Sequence, residues 1–315
     1  MINKLMHGRV KRIVVGSSLR PGSDRVVQAA KELADRVGAE LYLIHATATP
    51  LGVPGLFGAP ELPEVRQEAR QKLDEQIRRI GLSNEDFAGL RVEVGCPQQL
   101  VLDYAVRWEA DLVVLGAAEQ AGLHRLLGST VSRVIRKSPV PVLVLRDGFP
   151  LPPRRVVLAV DLSPISQEAM RCGVMLLRQM AGGRRPQVEV VTVVEPNHGS
   201  YLTEEQTLAQ LAGFIESGCD GVDLDLTPRV LTGDARDEIL AEIDGWTPDL
   251  LVVGSHGSGG FERFLIGSVA EHVSRRAACS VLVVPPKSVG RAEQLLSMRP
   301  PERLEDTDIP ELYLG

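Results

Sequence analysis

Aromatic side chains are scarce, at 4% of the 315 residues. Val, Leu, Ile and Ala supply the apolar mass instead, as continuous parallel strands buried on both faces require. Cysteine is limited to Cys96, Cys172, Cys219 and Cys279, scattered and without a C-x2-C spacing. That excludes a disulfide framework and a zinc knuckle, and reads as free thiols in a reducing cytoplasm. Cys172 falls on the apolar side of a helical pattern, where packing is its expected role. There is no basic excess: the formal net charge is −6. Nucleic acid is therefore not an expected partner, because phosphate backbones demand basic patches. Long hydrophobic runs are also missing. The longest purely apolar stretches, such as Val156–Val160, are of strand length, so no membrane-spanning helix is expected. The segment Met1 to Arg12 carries Lys4, Arg9, Lys11 and Arg12 without an apolar stretch and does not read as a secretory signal. A hydrophobic content of 44% with 24% charged residues reads as a soluble globular protein, here placed in the cytoplasm.

What is present is a repeat. Gly95-Cys96-Pro97 matches Gly233-Asp234-Ala235, Trp108 matches Trp246, and Asp111-Leu112-Val113-Val114-Leu115-Gly116 matches Asp249-Leu250-Leu251-Val252-Val253-Gly254, all 138 residues apart. Gly128-Ser129 matches Gly267-Ser268, and Val142-Leu143-Val144 matches Val281-Leu282-Val283, both 139 apart. Five anchors in one order indicate a tandem duplication. The expected division is 1–148, a linker at 149–153 within a proline-bearing join, 154–286, and a tail at 287–315. Each half alternates apolar strands with helical patterns, which argues for βαβ units. The expected strands are Ile13–Val15, Leu41–Ala46, Arg91–Val94, Leu112–Leu115 and Val140–Leu145, then Val156–Val160, Val188–Val194, Thr227–Leu231, Leu250–Val253 and Val281–Val284. Ser163 fits a helix N-cap with Pro164 behind it, ahead of an apolar stripe at Ala169, Cys172, Leu176, Leu177 and Met180. The fold class is α/β: two tandem doubly wound domains, each a five-stranded parallel sheet with helices on both faces.

The most specific motif is Gly254-x2-Gly257-x9-Gly267-Ser268, between a strand and a helical pattern beginning at Val269. Glycines let a backbone approach an anion and adopt positive φ. The N–H groups and dipole of a helix start favour negative charge. The plainer reading is a glycine-rich turn without a ligand.

These residues resemble the universal stress protein family in its tandem two-domain form, over about residues 9–146 and 154–285. Val160-Asp161-x-Ser163, Gly233-Asp234-Ala235, Asp249–Gly254, the glycine spacing and Cys279-Ser280-Val281-Leu282-Val283-Val284 carry the resemblance. It implies a five-stranded doubly wound sandwich, and the glycine spacing marks the branch that binds ATP, with Mg as a companion ion. By the same resemblance Asp161 would bond the base region, and Ala159 and Val193 would flank the adenine. Gly254 and Gly257 would let the backbone follow ribose and phosphate. Gly267, the Ser268 hydroxyl and the Val269 amide would hold phosphates. Plain structural roles stand beside these: Asp161 as a strand-end carboxylate fixing the next turn, Val193 as core. The family often has Arg after the second glycine, where this chain has Ser258, with Arg263 five residues on as a substitute or a solvated charge. His256 reads as a loop histidine bonded to backbone rather than a metal ligand. The resemblance also implies that fifth strands mediate dimer contacts, so the two domains should form a pseudo-twofold pair within the chain, itself a homodimer.

The first half departs from the pattern. Gly116-Ala117-Ala118-Glu119 puts a carboxylate at the second glycine, its loop is one residue shorter, and Val15-Gly16-Ser17-Ser18 lacks the aspartate. It is expected to bind ATP weakly or not at all. The segment Leu51–Pro63 reads as a loop or a lid. The functional expectation is an ATP-binding regulatory protein, with a nucleotide-free interaction module as the alternative. An enzyme is not expected. Ser258-Gly259-Gly260-Phe261-Glu262 is only superficially similar to the loop of ATP pyrophosphatases, since it follows a fourth strand instead of a first. No dinucleotide fingerprint follows either first strand. No Ser-His-Asp set stands at a defensible spacing, and slow ATP hydrolysis would lack an identifiable general base.

Overall fold

A computed structural model describes residues 9–47, 62–117, 127–195, 203–219, 223–256 and 266–286. The first half runs β1 (Arg12–Ser17), α1 (Pro21–Val37), β2 (Glu40–Thr47), α2 (Leu62–Arg79), β3 (Gly89–Val94), α3 (Pro97–Arg107), β4 (Leu112–Gly116), α4 (Ser129–Lys137) and β5 (Val142–Leu145). The second runs β6 (Arg155–Ala159), α5 (Pro164–Met180), β7 (Gln187–Val194), α6 (Glu204–Cys219), β8 (Leu226–Thr232), α7 (Ala235–Trp246), β9 (Leu250–Gly254), α8 (Ser268–Arg276) and β10 (Ser280–Val284).

All ten strands form one sheet in the order β3-β2-β1-β4-β5-β10-β9-β6-β7-β8. Within each half the pairing is parallel. Helices α1, α2, α5 and α6 cover one face and α3, α4, α7 and α8 the other, each face with its own apolar cluster spanning both halves. The stripe Ala169, Cys172, Leu176, Leu177 and Met180 is buried, each residue 1% exposed. Ser163 caps α5, its Oγ accepting the Ser166 amide at 3.2 Å, with Pro164 in the first turn.

The repeat is also a repeat of local chemistry. Asp111 Oδ2 accepts the amides of Lys11 at 2.7 Å and Arg12 at 3.0 Å. Asp249 Oδ2 accepts those of Arg154 at 2.6 Å and Arg155 at 3.1 Å. Each carboxylate thus ties the start of a fourth strand to the start of a first strand. Gly95 and Gly233 share a φ near +150° (153° and 151°) just before α3 and α7, a conformation that L side chains rarely adopt. That explains why glycine recurs there.

The halves meet at a seam. β5 and β10 pair antiparallel, with Val144 opposite Val281 and Val142 opposite Val283. Arg146 clamps the seam: its amide donates to Ser280 Oγ at 3.0 Å and its Nε to Cys279 O at 3.1 Å. On the other face α1 packs against α5, and the Val10 amide donates to Gln179 Oε1 at 2.8 Å. The join at 147–154 has neither helix nor strand, yet it is docked, with Pro152 and Pro153 buried and Phe149 and Leu151 packed on the core.

Most strands run a residue or two past their expected bounds, with β3 starting at Gly89 and β6 stopping at Ala159. β5 instead starts inside its expected span, at Val142, because Ser138 Oγ donates to Val140 O at 2.6 Å and receives the Val140 amide at 3.3 Å, while Pro141 has no N–H to offer. Leu62 and Pro63, the end of the glycine- and proline-rich segment, open α2. The rest of that segment and the 287–315 tail lie outside the described residues.

Candidate functional site

In the second half the strand order turns back between β6 and β9, the place where open parallel sheets bind ligands at their carboxyl ends. Ala159 ends β6 in register with Val253, and Gly254 ends β9. On the other side of β6, Ala159 pairs with Val191, and the Val160 amide donates to Val191 O at 2.9 Å. Val193 lies two residues further along β7, half-buried against the α7 and α8 face, and so contributes to the core as well. Beyond β9, the Ser255 amide donates to Val284 O at 2.8 Å and the Ser255 carbonyl accepts the Gly267 amide at 2.7 Å. That second bond ties the two ends of the glycine segment together and sets Gly267 as N-cap of α8. Ala159, Asp161, Gly254, Gly267, Ser268 and Val269 therefore gather at the carboxyl end of the sheet, beyond β6 and β9. Gly257, Ser258, Arg263 and Glu119 lie outside the described residues.

Two details depart from the sequence reading. Gly267 has φ −60° and ψ 145°, open to any residue, and its amide is already donated to Ser255. Gly254 is likewise outside the positive-φ set, and a Cβ there would meet His256 O at 3.3 Å and Ala169 Cβ at 3.6 Å. Neither glycine is there for an unusual φ, and at Gly254 the bare Cα keeps close quarters with His256 O and Ala169. The donors at the start of α8 are the N–H groups of Ser268 and its successors, which no side chain caps. Those groups and the exposed Ser268 hydroxyl suit an anion.

Asp161 is exposed, and its Oδ1 accepts the Ser163 amide at 3.1 Å and the Ser163 hydroxyl at 2.6 Å. It fixes the turn into α5, where Leu162 holds φ +61°. His256 is buried, with Nδ1 2.9 Å from Ser255 Oγ. Among the described residues no group of three His, Cys, Asp or Glu stands together to hold a metal ion. No helix there is long and apolar enough to cross a membrane.

The first half builds the same end with other residues. Gly128 caps α4 with φ −62° and ψ 154°, matching Gly267. Ser18 stands where Asp161 does, receiving the Arg20 amide at 3.4 Å, and Leu19 repeats the left-handed turn at φ +58°. Gly16 and Leu115 replace Ala159 and Val253, and a Cβ on Gly16 would come within 2.7 Å of Leu115 Cδ2. Among the described residues no bond between Ala117 and Gly128 repeats the Ser255–Gly267 tie. Beneath the turn lies a buried polar network that the sequence reading did not anticipate. Ser17 Oγ donates to Gln76 Oε1 at 2.6 Å, and Gln76 Nε2 donates to Ser23 Oγ at 2.8 Å and Asp24 Oδ1 at 2.7 Å. His45 Nδ1 lies 2.9 Å from Ser17 O. Burial holds the His45 imidazole below the usual histidine range, against the opposing pull of the Ser17 carbonyl. Gln76 was the available signal, a polar residue three positions from Leu73 and beside Ile77 on the helix side that faces the core.

The model of the universal stress protein family matches residues 9–146 and again 153–285. The chain belongs to the universal stress protein family. It is 30% identical over 253 residues to a universal stress protein of Mycobacterium tuberculosis, covering 76% of this chain and 82% of that one. It is 29% identical over 295 residues to one of Mycolicibacterium smegmatis, covering 87% and 97%. Among solved structures, a universal stress protein of Archaeoglobus fulgidus shares the fold with a TM-score of 0.65 at 18% identity, over 87% of this chain and 98% of that one. As a tandem universal stress protein, the chain joins two family units through a single sheet.

Proposed function

We propose that this universal stress protein is a cytoplasmic ATP-binding regulator that holds its nucleotide in the second half. The observation that carries the reading is the sheet end where Ala159, Asp161 and Gly254 meet the uncapped start of α8, closed by the Ser255–Gly267 bond. Adenine would lie against Ala159 and Val193, an apolar slot with few polar groups. Phosphates would meet the Ser268 hydroxyl and the Val269 amide. Magnesium would accompany the phosphates. The reading assigns no catalysis, and phosphate release over many turnovers well above background would overturn that part of it. Regulation would follow from a difference in ATP affinity between two states of the protein or of a complex. A homodimer would have to form through surfaces other than β5 and β10, whose edges are already paired within the chain.

Isothermal titration tests the site. Unaltered protein should bind ATP, and Gly267→Glu, which sets a carboxylate at the α8 start, should abolish binding. Unchanged affinity in that variant would overturn the placement. The alternative, an interaction module without nucleotide, would be favoured by protein that purifies free of nucleotide and ignores added ATP.

A further inference from the structure

Helix α8 carries Glu271 in its first turn, its amide donating to Gly267 O at 2.9 Å. A carboxylate in the first turn of the helix whose start offers the Ser268 and Val269 N–H groups offsets part of the positive field that a polyphosphate would seek. The counter-charge comes from the other half. Arg136, in the last turn of α4, donates through Nη2 to Glu271 Oε1. Arg275, on α8 itself, stands further off at 4.0 Å. The reach across halves follows from the seam. Because β5 and β10 run antiparallel, the C-terminus of α4 and the N-terminus of α8 come to the same end of the sheet.

The bridge is one-sided. At the repeat offset of 139, Arg275 corresponds to Arg136, but Glu271 corresponds to Ser132. The start of α4 therefore has no carboxylate at that position. With side chains 42% and 31% exposed, the pair is solvent-screened and a modest contributor to stability. Its charge arrangement is better suited to a ligand effect than to holding the halves together.

We infer that Arg136 is a positioning residue for the phosphate site of the second half: it engages and neutralises Glu271, so that the α8 start faces a polyphosphate as a net donor. Occupancy of the second half is thereby coupled to the seam, and the coupling is reciprocal. The inference rests on the reading of that sheet end as an ATP site. The test is titration of the full chain with ATP and AMP. Arg136→Gln should weaken ATP binding about fivefold, as expected for losing one partly screened charge pair, and AMP binding less. Adding Glu271→Gln to that variant should restore ATP affinity, and Glu271→Gln alone should tighten it, a readout that stands even if Arg136→Gln folds poorly. Equal losses for ATP and AMP, no recovery in the double variant, or indifference of ATP to both substitutions would overturn the role of Arg136 alone. Failure of the unaltered chain to bind ATP would overturn the site reading and this inference together.

Discussion

Leu115 packs against the bare Cα of Gly16, so closely that a Cβ there would come within 2.7 Å of Leu115 Cδ2. The second half places Ala159 and Val253 at the same two positions, in register across β6 and β9. A methyl group has in effect moved from one partner to the other. Gly16→Ala should therefore overpack the first half and cost about 1–3 kcal/mol. Leu115→Val in the same chain should recover most of that loss. Urea unfolding midpoints for the two single variants and the double variant would show it, and strict additivity would refute the compensation.

Asp161 has two separable roles. Its Oδ1 holds the turn into α5 through Ser163, and the proposed reading gives it the base region of a nucleotide. Asp161→Ala should lose both, with about 1 kcal/mol of stability, the scale of a lost cap. Asp161→Ser copies Ser18, which serves the equivalent turn of the first half. That variant should keep the melting temperature and lose ATP affinity. If Asp161→Ser binds ATP like the unaltered chain, the carboxylate serves the turn alone.

His45 sets a pH dependence. Its folded pKa is depressed by burial, so the unfolded chain binds the proton more readily. Stability from this group is complete above the unfolded value of about 6.5 and is lost as pH falls below it. His45→Gln should flatten that slope between about pH 7 and 5, read from denaturation midpoints at each pH. An unchanged slope would assign the acid sensitivity elsewhere.

The thiols should report the fold directly. Burial pushes Cys172 and Cys279 up to about 12 and Cys219 up to about 11. Cys96 is exposed at the N-cap of α3. A disulfide-exchange reagent at pH 8 should label one thiol rapidly in the native chain and the other three only on unfolding. Rapid modification of Cys172 would contradict the packing of α5.

Arg146 tests the seam. Arg146→Ala removes the bond from its Nε to Cys279 O and should lower the melting temperature by a few degrees, for about 1 kcal/mol lost. It should also broaden the transition as the halves begin to unfold separately. A melting curve identical to that of the unaltered chain would show that β-pairing alone holds the seam.

Much of this architecture is legible because short Val- and Leu-rich runs bounded by turn signals read as buried strands, and because Asp111 and Asp249 recur for a shared reason, each bonding two amides at the start of a first strand. Periodicity alone puts the start of β5 at Val140, two residues early, because Ser138 captures Val140 in a local bond that periodicity does not register. At the candidate site, spacing alone brought Gly254, Gly267 and Ser268 to one end of the sheet. It did not reveal that the Gly267 amide is spent on Ser255. The network of Ser17, Ser23 and Gln76 is not legible in the sequence, because a glutamine in a charged, amphipathic helix reads as solvent-facing until the helix is docked.

The antiparallel pairing of β5 with β10 has a consequence for how such a protein can change over time. Two identical subunits that associate freely come apart on dilution, and every substitution appears in both. Once residues 147–154 join the partners covalently, they stay matched at any concentration, and each can drift alone. The exchange of Asp161 for Ser18, and of Ala159 with Val253 for Gly16 with Leu115, is the kind of divergence that a symmetric pair could never hold.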